Sequence, residues 1–232
     1  MNDPRATQGA ALDHLVVAAR TLEEGAAWCA ATLGVTPASG GRHALMSTHN
    51  RVFSVATAAF ARAYFEIIAI DADAPPPGRA RWFGLDDPAL QAALDSGPRL
   101  VAWVARVADL DAALAALAAQ GIDAGRVLPA SRMTPHGELR WRIAVRDDGA
   151  RLFGGALPTL IEWGEVHPAD SLSASGATLA AITLRAPEGS PLRAALDALG
   201  IEGARFTNDA TAAAFGIELD TPRGRLQIDV PT

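Results

Sequence analysis

The chain reads as an α+β protein of tandem βαβββ units followed by a partial third, βαββ unit. Three observations predict this. The element order β-α-β-β-β occurs twice and then returns in shortened form. Each candidate helix opens on a polar capping residue. Each also stops at a glycine, in Leu33-Gly34-Val35, Gln120-Gly121-Ile122 and Leu199-Gly200-Ile201. Any helix-to-strand junction favours such an exit, so the weight rests on the repeated order.

The first unit covers residues 11–72. Residues 12–19 alternate and are rich in β-formers, which predicts a strand. Thr21 is placed as the N-cap of a helix, with Glu24 three residues on as its capping-box partner. Leu22, Ala26, Cys29 and Leu33 form its apolar stripe. Strands are expected at 43–46, 51–56 and 62–71, with Gly40-Gly41 as a loop. Residues 73–98 contain Pro75-Pro76-Pro77-Gly78, which neither a helix nor a central strand accepts, so they read as a crossover with a short helix at 88–94.

The second unit covers residues 99–165. A strand at 100–107 leads to a helix capped by Asp109, with Leu110, Leu114 and Leu117 on one face. Strands follow at 126–131, 138–146 and 159–164, and Gly154-Gly155 is a loop. The third unit covers residues 177–231. Its strand at 178–185 precedes Ser190-Pro191, an N-cap with proline at the first helical position. Leu192, Leu196 and Leu199 line that helix. Two strands, 215–220 and 225–230, form a hairpin across Thr221-Pro222-Arg223-Gly224.

Composition bounds the function. With 50% hydrophobic and 20% charged residues, this is an ordinary globular chain that buries a real core. A net charge of -6 argues against a nucleic-acid footprint. The single cysteine, Cys29, excludes an intrachain disulfide and a thiolate metal cluster, and it reads as inert core. No apolar run is long enough to span a bilayer, and residues 1–11 lack a signal-peptide core, so a cytoplasmic location without membrane contact is expected. Phosphate-binding loops, dinucleotide fingerprints and nucleophile elbows are absent.

The chemistry points to His14 in Leu12-Asp13-His14-Leu15-Val16 and to Glu66 in Tyr64-Phe65-Glu66-Ile67-Ile68. Each is ionisable within an apolar strand, and burying it unpaired costs several kcal/mol, so each needs a partner. Two readings stand. The residues share a metal ion, or they hydrogen-bond across neighbouring strands and line a polar pocket. Strand alternation puts His14, Val16 and Ala18 on one face, and Tyr64, Glu66, Ile68 and Ile70 on one face. His43, His49 and Asn50 read as pocket lining or as a polar turn. Arg51 reads as a clamp for a substrate carboxylate or phosphate, or as a surface charge. Trp82 and Phe83 either cover the site or anchor the crossover. His136 is expected in an exposed hairpin turn, and His167-Pro168 at a structural junction.

Several stretches carry a family resemblance: Leu12-Asp13-His14-Leu15-Val16, Gly40-Gly41-Arg42-His43, Ser47-Thr48-His49-Asn50-Arg51, the strand around Glu66, Arg81-Trp82-Phe83-Gly84-Leu85 and His167-Pro168-Ala169-Asp170. On these, the chain is similar to the glyoxalase-like domain family of the vicinal-oxygen-chelate superfamily, whose members include glyoxalase I, extradiol dioxygenases and bleomycin-resistance proteins. The resemblance implies two units curling their sheets into a cup around a divalent metal (Zn, Mn, Fe, Ni or Mg). The first and last strands of each unit supply ligands there. In the first unit those positions fall on His14 and Glu66. In the second, aligning Thr21 with Asp109 puts Ala102 opposite His14 and Glu162 opposite Glu66, so one ligand is lost, and His43 or His49 is a candidate replacement. The implied ligands are His14, Glu66 and Glu162, with Glu66 and Glu162 as proton shuttles. His43, His49, Asn50, Arg51, Tyr64 and Trp82 are the implied substrate contacts. The implied partner is a small oxygen-bearing molecule, bound for metal-assisted catalysis or sequestered without metal, and a homodimer is the expected assembly.

Overall fold

The computed structural model describes residues 9–135 and 137–230, so His136 lies outside the described residues. The first two repeats build one eight-stranded sheet in the order β2-β3-β4-β1-β5-β8-β7-β6. The strands of the first repeat are β1 (Ala11–Ala18), β2 (Ala38–His43), β3 (Thr48–Ser54) and β4 (Tyr64–Ile70). Those of the second are β5 (Arg99–Arg106), β6 (Arg126–Thr134), β7 (Gly137–Val145) and β8 (Thr159–Trp163). The two halves join where β1 runs antiparallel to β5, while β1 and β4, and likewise β5 and β8, pair in parallel.

Strand alternation gives this sheet two apolar faces. Leu15, Val17, Phe65 and Ile67 point outward into the larger core. Helices α1 (Leu22–Trp28), α3 (Leu110–Ala119) and α4 (Leu192–Ala198) pack on that side. Val16, Ala18, Ile68, Ala102 and Val104 point inward into a second core. The sheet curls until its edges approach each other. On β2, a Cβ at Gly41 would collide with the Arg132 guanidinium of β6, and His43 meets the Trp141 ring of β7 edge-on at 6.4 Å. The cup is therefore made by the first two repeats.

The third repeat forms its own four-stranded sheet, β10-β9-β11-β12, which packs on the outer core through Leu179, Ile182, Leu184 and Phe215. Its strands are β9 (Thr178–Pro187), β10 (Arg205–Thr207), β11 (Asp209–Thr221) and β12 (Gly224–Asp229). The three-residue β10 is a strand not read from the sequence. Among the described residues, no helix is long and apolar enough to cross a membrane.

Two local readings change. Strands β2 and β3 occupy residues 38–43 and 48–54, and residues 44–47 form the turn between them. Gly40 and Gly41 are strand residues whose missing Cβ atoms leave room for Asn50 and Arg132. The helix stripe from Leu22 to Leu33 is also not one regular helix: after α1 the chain widens into a π-turn, Cys29–Leu33, before Gly34 stops it at φ 71°. Thr21 caps α1 as expected, its hydroxyl accepting from the Glu24 backbone at 3.1 Å.

The crossover fills part of the cup. Arg81 leads into a tight turn, Trp82–Gly84, and then Asp87 caps α2 (Pro88–Ala93). Trp82, Phe83, Leu85, Leu90 and Leu94 are all buried in the inner core with Ala102 and Val104. Trp82 and Phe83 thus anchor the crossover and form a wall of the cup at the same time.

Phe65 carries β4 on the outer side, stacked on Phe53 at 4.8 Å and fully buried. Phe65→Ala leaves a cavity directly behind the strand that bears Glu66. Chemical denaturation is expected to show a loss of about 3–5 kcal/mol.

Candidate functional site

The site begins with an irregularity in β1. Leu12 pairs with Ala105 and His14 with Val104, so Asp13 is an extra residue in the ladder. Such a bulge breaks strict alternation. Asp13 and His14, adjacent in sequence, can then interact: His14 Nδ1 lies 2.7 Å from Asp13 Oδ1.

Asp13 is completely buried. Its second oxygen accepts from His167 Nε2 at 2.8 Å and from the Trp163 indole at 3.1 Å. Because His167 Nδ1 accepts from the Ala169 backbone, its proton sits on Nε2 and is donated to Asp13. Burial alone would raise the Asp13 pKa. The hydrogen bonds from His14 and His167 outweigh it and hold the carboxyl well below the usual range. Asp13 is therefore a carboxylate, and His14 Nδ1 is its donor. That leaves His14 Nε2 facing Glu66 Oε2 at 3.6 Å, beyond hydrogen-bonding distance.

Glu66 is held from the other side by Asn50, whose amide donates to Oε1. The pairing of β3 with β4 explains this, since Asn50 lies opposite Ile68 and Val52 opposite Glu66 on the inner face. Tyr64 stacks on the His14 ring with centroids 4.5 Å apart. Burial first, and the charges of Asp13 and Glu66 next, raise the Tyr64 pKa well above its ordinary value, so it remains a phenol. His43 ends β2 with Nδ1 3.1 Å from the Thr48 hydroxyl. Burial, with Arg132 next in effect, pulls its pKa down to about 3, so it is a neutral imidazole.

These groups open onto one cavity. Its polar lining is His14, His43, Asn50, Tyr64, Glu66 and Arg132. Trp82, Phe83, Trp141, Trp163, Ile143 and Ile161 supply the apolar walls. Of the residues singled out from sequence, His14, His43, Asn50, Tyr64, Glu66 and Trp82 come together here.

Three do not. His49 and Arg51 lie on the other face of β3, opposite Ala69 and Ile67 of the outer core. Arg51 turns toward Glu23 of α1 at 3.8 Å, so it is not a clamp in the cup. Glu162 also faces outward. It accepts from the Leu110 backbone at the start of α3 at 2.8 Å and pairs with Arg142 at 3.2 Å. Its neighbours Ile161 and Trp163 are the ones that line the cavity. A strand alignment one residue out exchanges the two faces, which is why Glu162 looked equivalent to Glu66.

The expected ligand set His14, Glu66 and Glu162 is therefore not assembled. Among the described residues no three His, Cys, Asp or Glu side chains gather as a metal cluster. What remains is a nitrogen and a carboxylate from the first repeat, spaced so that both reach one ion. His14 also carries a carboxylate partner on its other nitrogen, the usual support for a metal-bound imidazole. This donor pair fits an open divalent site completed by water and substrate. It does not fit a closed four-ligand site.

Four residues of the site were missed in the sequence. Strict alternation puts Asp13 on the face opposite His14, and only the bulge lets it reach the site. His167 and Trp163 reach Asp13 from 154 and 150 residues away. Arg132 lies one residue beyond the strand expected at 126–131 and was one arginine among many. Asp13 and His167 lie in stretches that carry the family resemblance, but nothing local to either stretch shows that the two meet.

A family model described as a glyoxalase-like domain matches residues 12–200. Among curated proteins none matches. The crystal structure of a hypothetical protein from Staphylococcus aureus superposes with a TM-score of 0.58 at 13% identity, covering 96% of this chain and 86% of that one. A methylmalonyl-CoA epimerase from Mycobacterium tuberculosis gives a TM-score of 0.41 at 18% identity over 74% of this chain and 97% of its own. A Streptomyces coelicolor methylmalonyl-CoA epimerase, in complex with 2-nitronate-propionyl-CoA, gives 0.41 at 17% identity over 67% and 94%. With the matching family model spanning most of its length, this chain belongs to the glyoxalase-like domain family.

Proposed function

We propose that the chain is an enzyme that holds a small oxygen-bearing molecule in the cup and moves a proton on it with His14 and Glu66. The observation that carries this reading is the line Asp13–His14–Glu66, with His14 Nε2 and Glu66 Oε2 left without a hydrogen bond to each other at the cavity surface. Asp13 holds the His14 tautomer and stabilises its imidazolium when Nε2 takes a proton. Asn50 fixes one Glu66 oxygen and leaves the other turned to His14 and the cavity. The aromatic walls keep water from competing for the transferred proton. In an ion-assisted form of the same reading, His14 Nε2 and Glu66 would instead hold a divalent ion, and that ion would act as a Lewis acid on a substrate oxygen.

A second reading has its own support. The second repeat turns Glu162 outward and presents Ala102, Ile161 and Trp163 inward, an apolar half-cup suited to holding a ligand without chemistry. On this reading the protein sequesters a small molecule and needs no metal.

Isothermal titration with Mn²⁺ and Zn²⁺ separates the two. The ion-assisted form of the enzyme reading expects about one ion per chain, with affinity lowered at least tenfold in His14→Ala and in Glu66→Gln, because each removes one of two protein ligands. Absence of binding in the wild-type chain sinks the ion-assisted form and favours sequestration.

The neutral His43 has a consequence for stability. Its folded pKa, about 3, lies below the ordinary 6.5, so the unfolded chain binds the proton more readily. The stability it contributes is complete above pH 6.5 and is lost as pH falls toward 3. His43→Gln should flatten the pH dependence of unfolding free energy in that window, measured by urea denaturation at stepped pH. An unchanged slope would show that His43 is not held neutral.

A further inference from the structure

We infer that the ligand of the cup carries a carboxylate and that Arg132 selects it. The inference rests on the reading of the cup as a small-molecule site and names the chemical class the site takes.

Arg132 is the one lysine or arginine among the residues lining the cavity. Most other arginines of the chain are engaged, for example Arg42 with Asp71, Arg62 with Asp170 and Arg142 with Asp111. Arg132 has no ion pair within 4.0 Å and no hydrogen bond among the described residues. Glu66 acts on it only as a longer-range charge. Arg132 is half-buried, so the vacant fork is not simply a solvated surface group.

The placement is built into the fold. Arg132 stands on β6, one edge of the curled sheet, and its guanidinium spans the seam to β2 at the other edge. It fits there because residue 41 is glycine: any Cβ at that position would overlap Nη1. A second residue lining the cavity also has an unsatisfied donor. The indole Nε1–H of Trp82 is buried and has no acceptor among the described residues. A buried donor without a partner is costly, and such groups persist where a ligand completes them.

Two vacant donors, one of them a planar cationic fork, call for acceptor oxygens that carry charge. A carboxylate matches the fork in two parallel bonds. Glu66 in the same cavity repels a second anion, so the arrangement has a direction. The carboxylate belongs at the Arg132 end, and the reacting oxygen belongs beside His14.

The test is isothermal titration of the full chain with pyruvate, with its neutral amide and with inorganic phosphate, in wild type, Arg132→Gln and Arg132→Lys. Thermal melting shows that each variant folds. Pyruvate should bind at least tenfold more tightly than the amide. Arg132→Gln should bring the two within twofold by weakening pyruvate alone, and Arg132→Lys should keep part of the preference. Equal binding of pyruvate and amide in wild type, a preference that survives Arg132→Gln, or tighter binding of phosphate than of pyruvate each overturns the inference. So does an absence of binding by all three probes. None of these outcomes decides the ion titration, which reads His14 and Glu66 and stands or falls separately.

Discussion

The cup depends on one carboxylate that has no access to water. Asp13 is fully buried, and it is affordable only because His14, His167 and Trp163 all point donors at it. Those donors come from three places: the same strand, the end of β8 and the junction after it. The ionised group therefore ties β1 of the first repeat to the last strand of the second. It also sets the tautomer of His14, which decides whether the cavity sees a lone pair or a proton. Structure and chemistry meet in the same carboxylate, so damage to the network acts on both.

The second constraint is the asymmetry of the cup. A sheet made of two similar halves offers two similar sites, yet only one is polar here. The crossover places Trp82, Phe83, Leu85, Leu90 and Leu94 against the inner face near Ala102. With that half filled by apolar side chains, a ligand residue at position 102 would be buried against hydrocarbon without a partner. The loss of a donor at Ala102 and the apolar crossover are two sides of one packing solution. The polar half keeps His14, Glu66, Asn50 and Tyr64, and the edges of the sheet close over it with Arg132 and His43.

Sequence reading succeeded where the signal was local and periodic. Helix caps at Thr21 and Asp109, the glycine stops, the apolar alternation of β1 and β4 and the repeated element order all follow from short-range physics. Their positions in the structure agree within a few residues. It failed where one residue of register decides a face. Glu162, His49 and Arg51 are polar residues in strands, at positions a motif alignment places near the cup, yet each points outward. A period of two makes such an error total: a shift of one residue moves a side chain from the inside to the outside. Gly40 and Gly41 misled for a related reason. Glycine usually marks a turn, but here it marks a strand crowded by a neighbouring side chain, which is known only once that neighbour is in place.

The sequence by itself determined the element types, the two complete repeats and the pair His14 and Glu66, because these depend on residue type and spacing along a single strand or helix. Only the tertiary structure decided the rest. The bulge at Asp13, the arrival of His167 and Trp163 from more than a hundred residues away, the outward turn of Glu162 and the reach of Arg132 across the seam are set by strand pairing and by the closure of the sheet. Those are long-range contacts, and no window of neighbouring residues contains the free energies that choose among them.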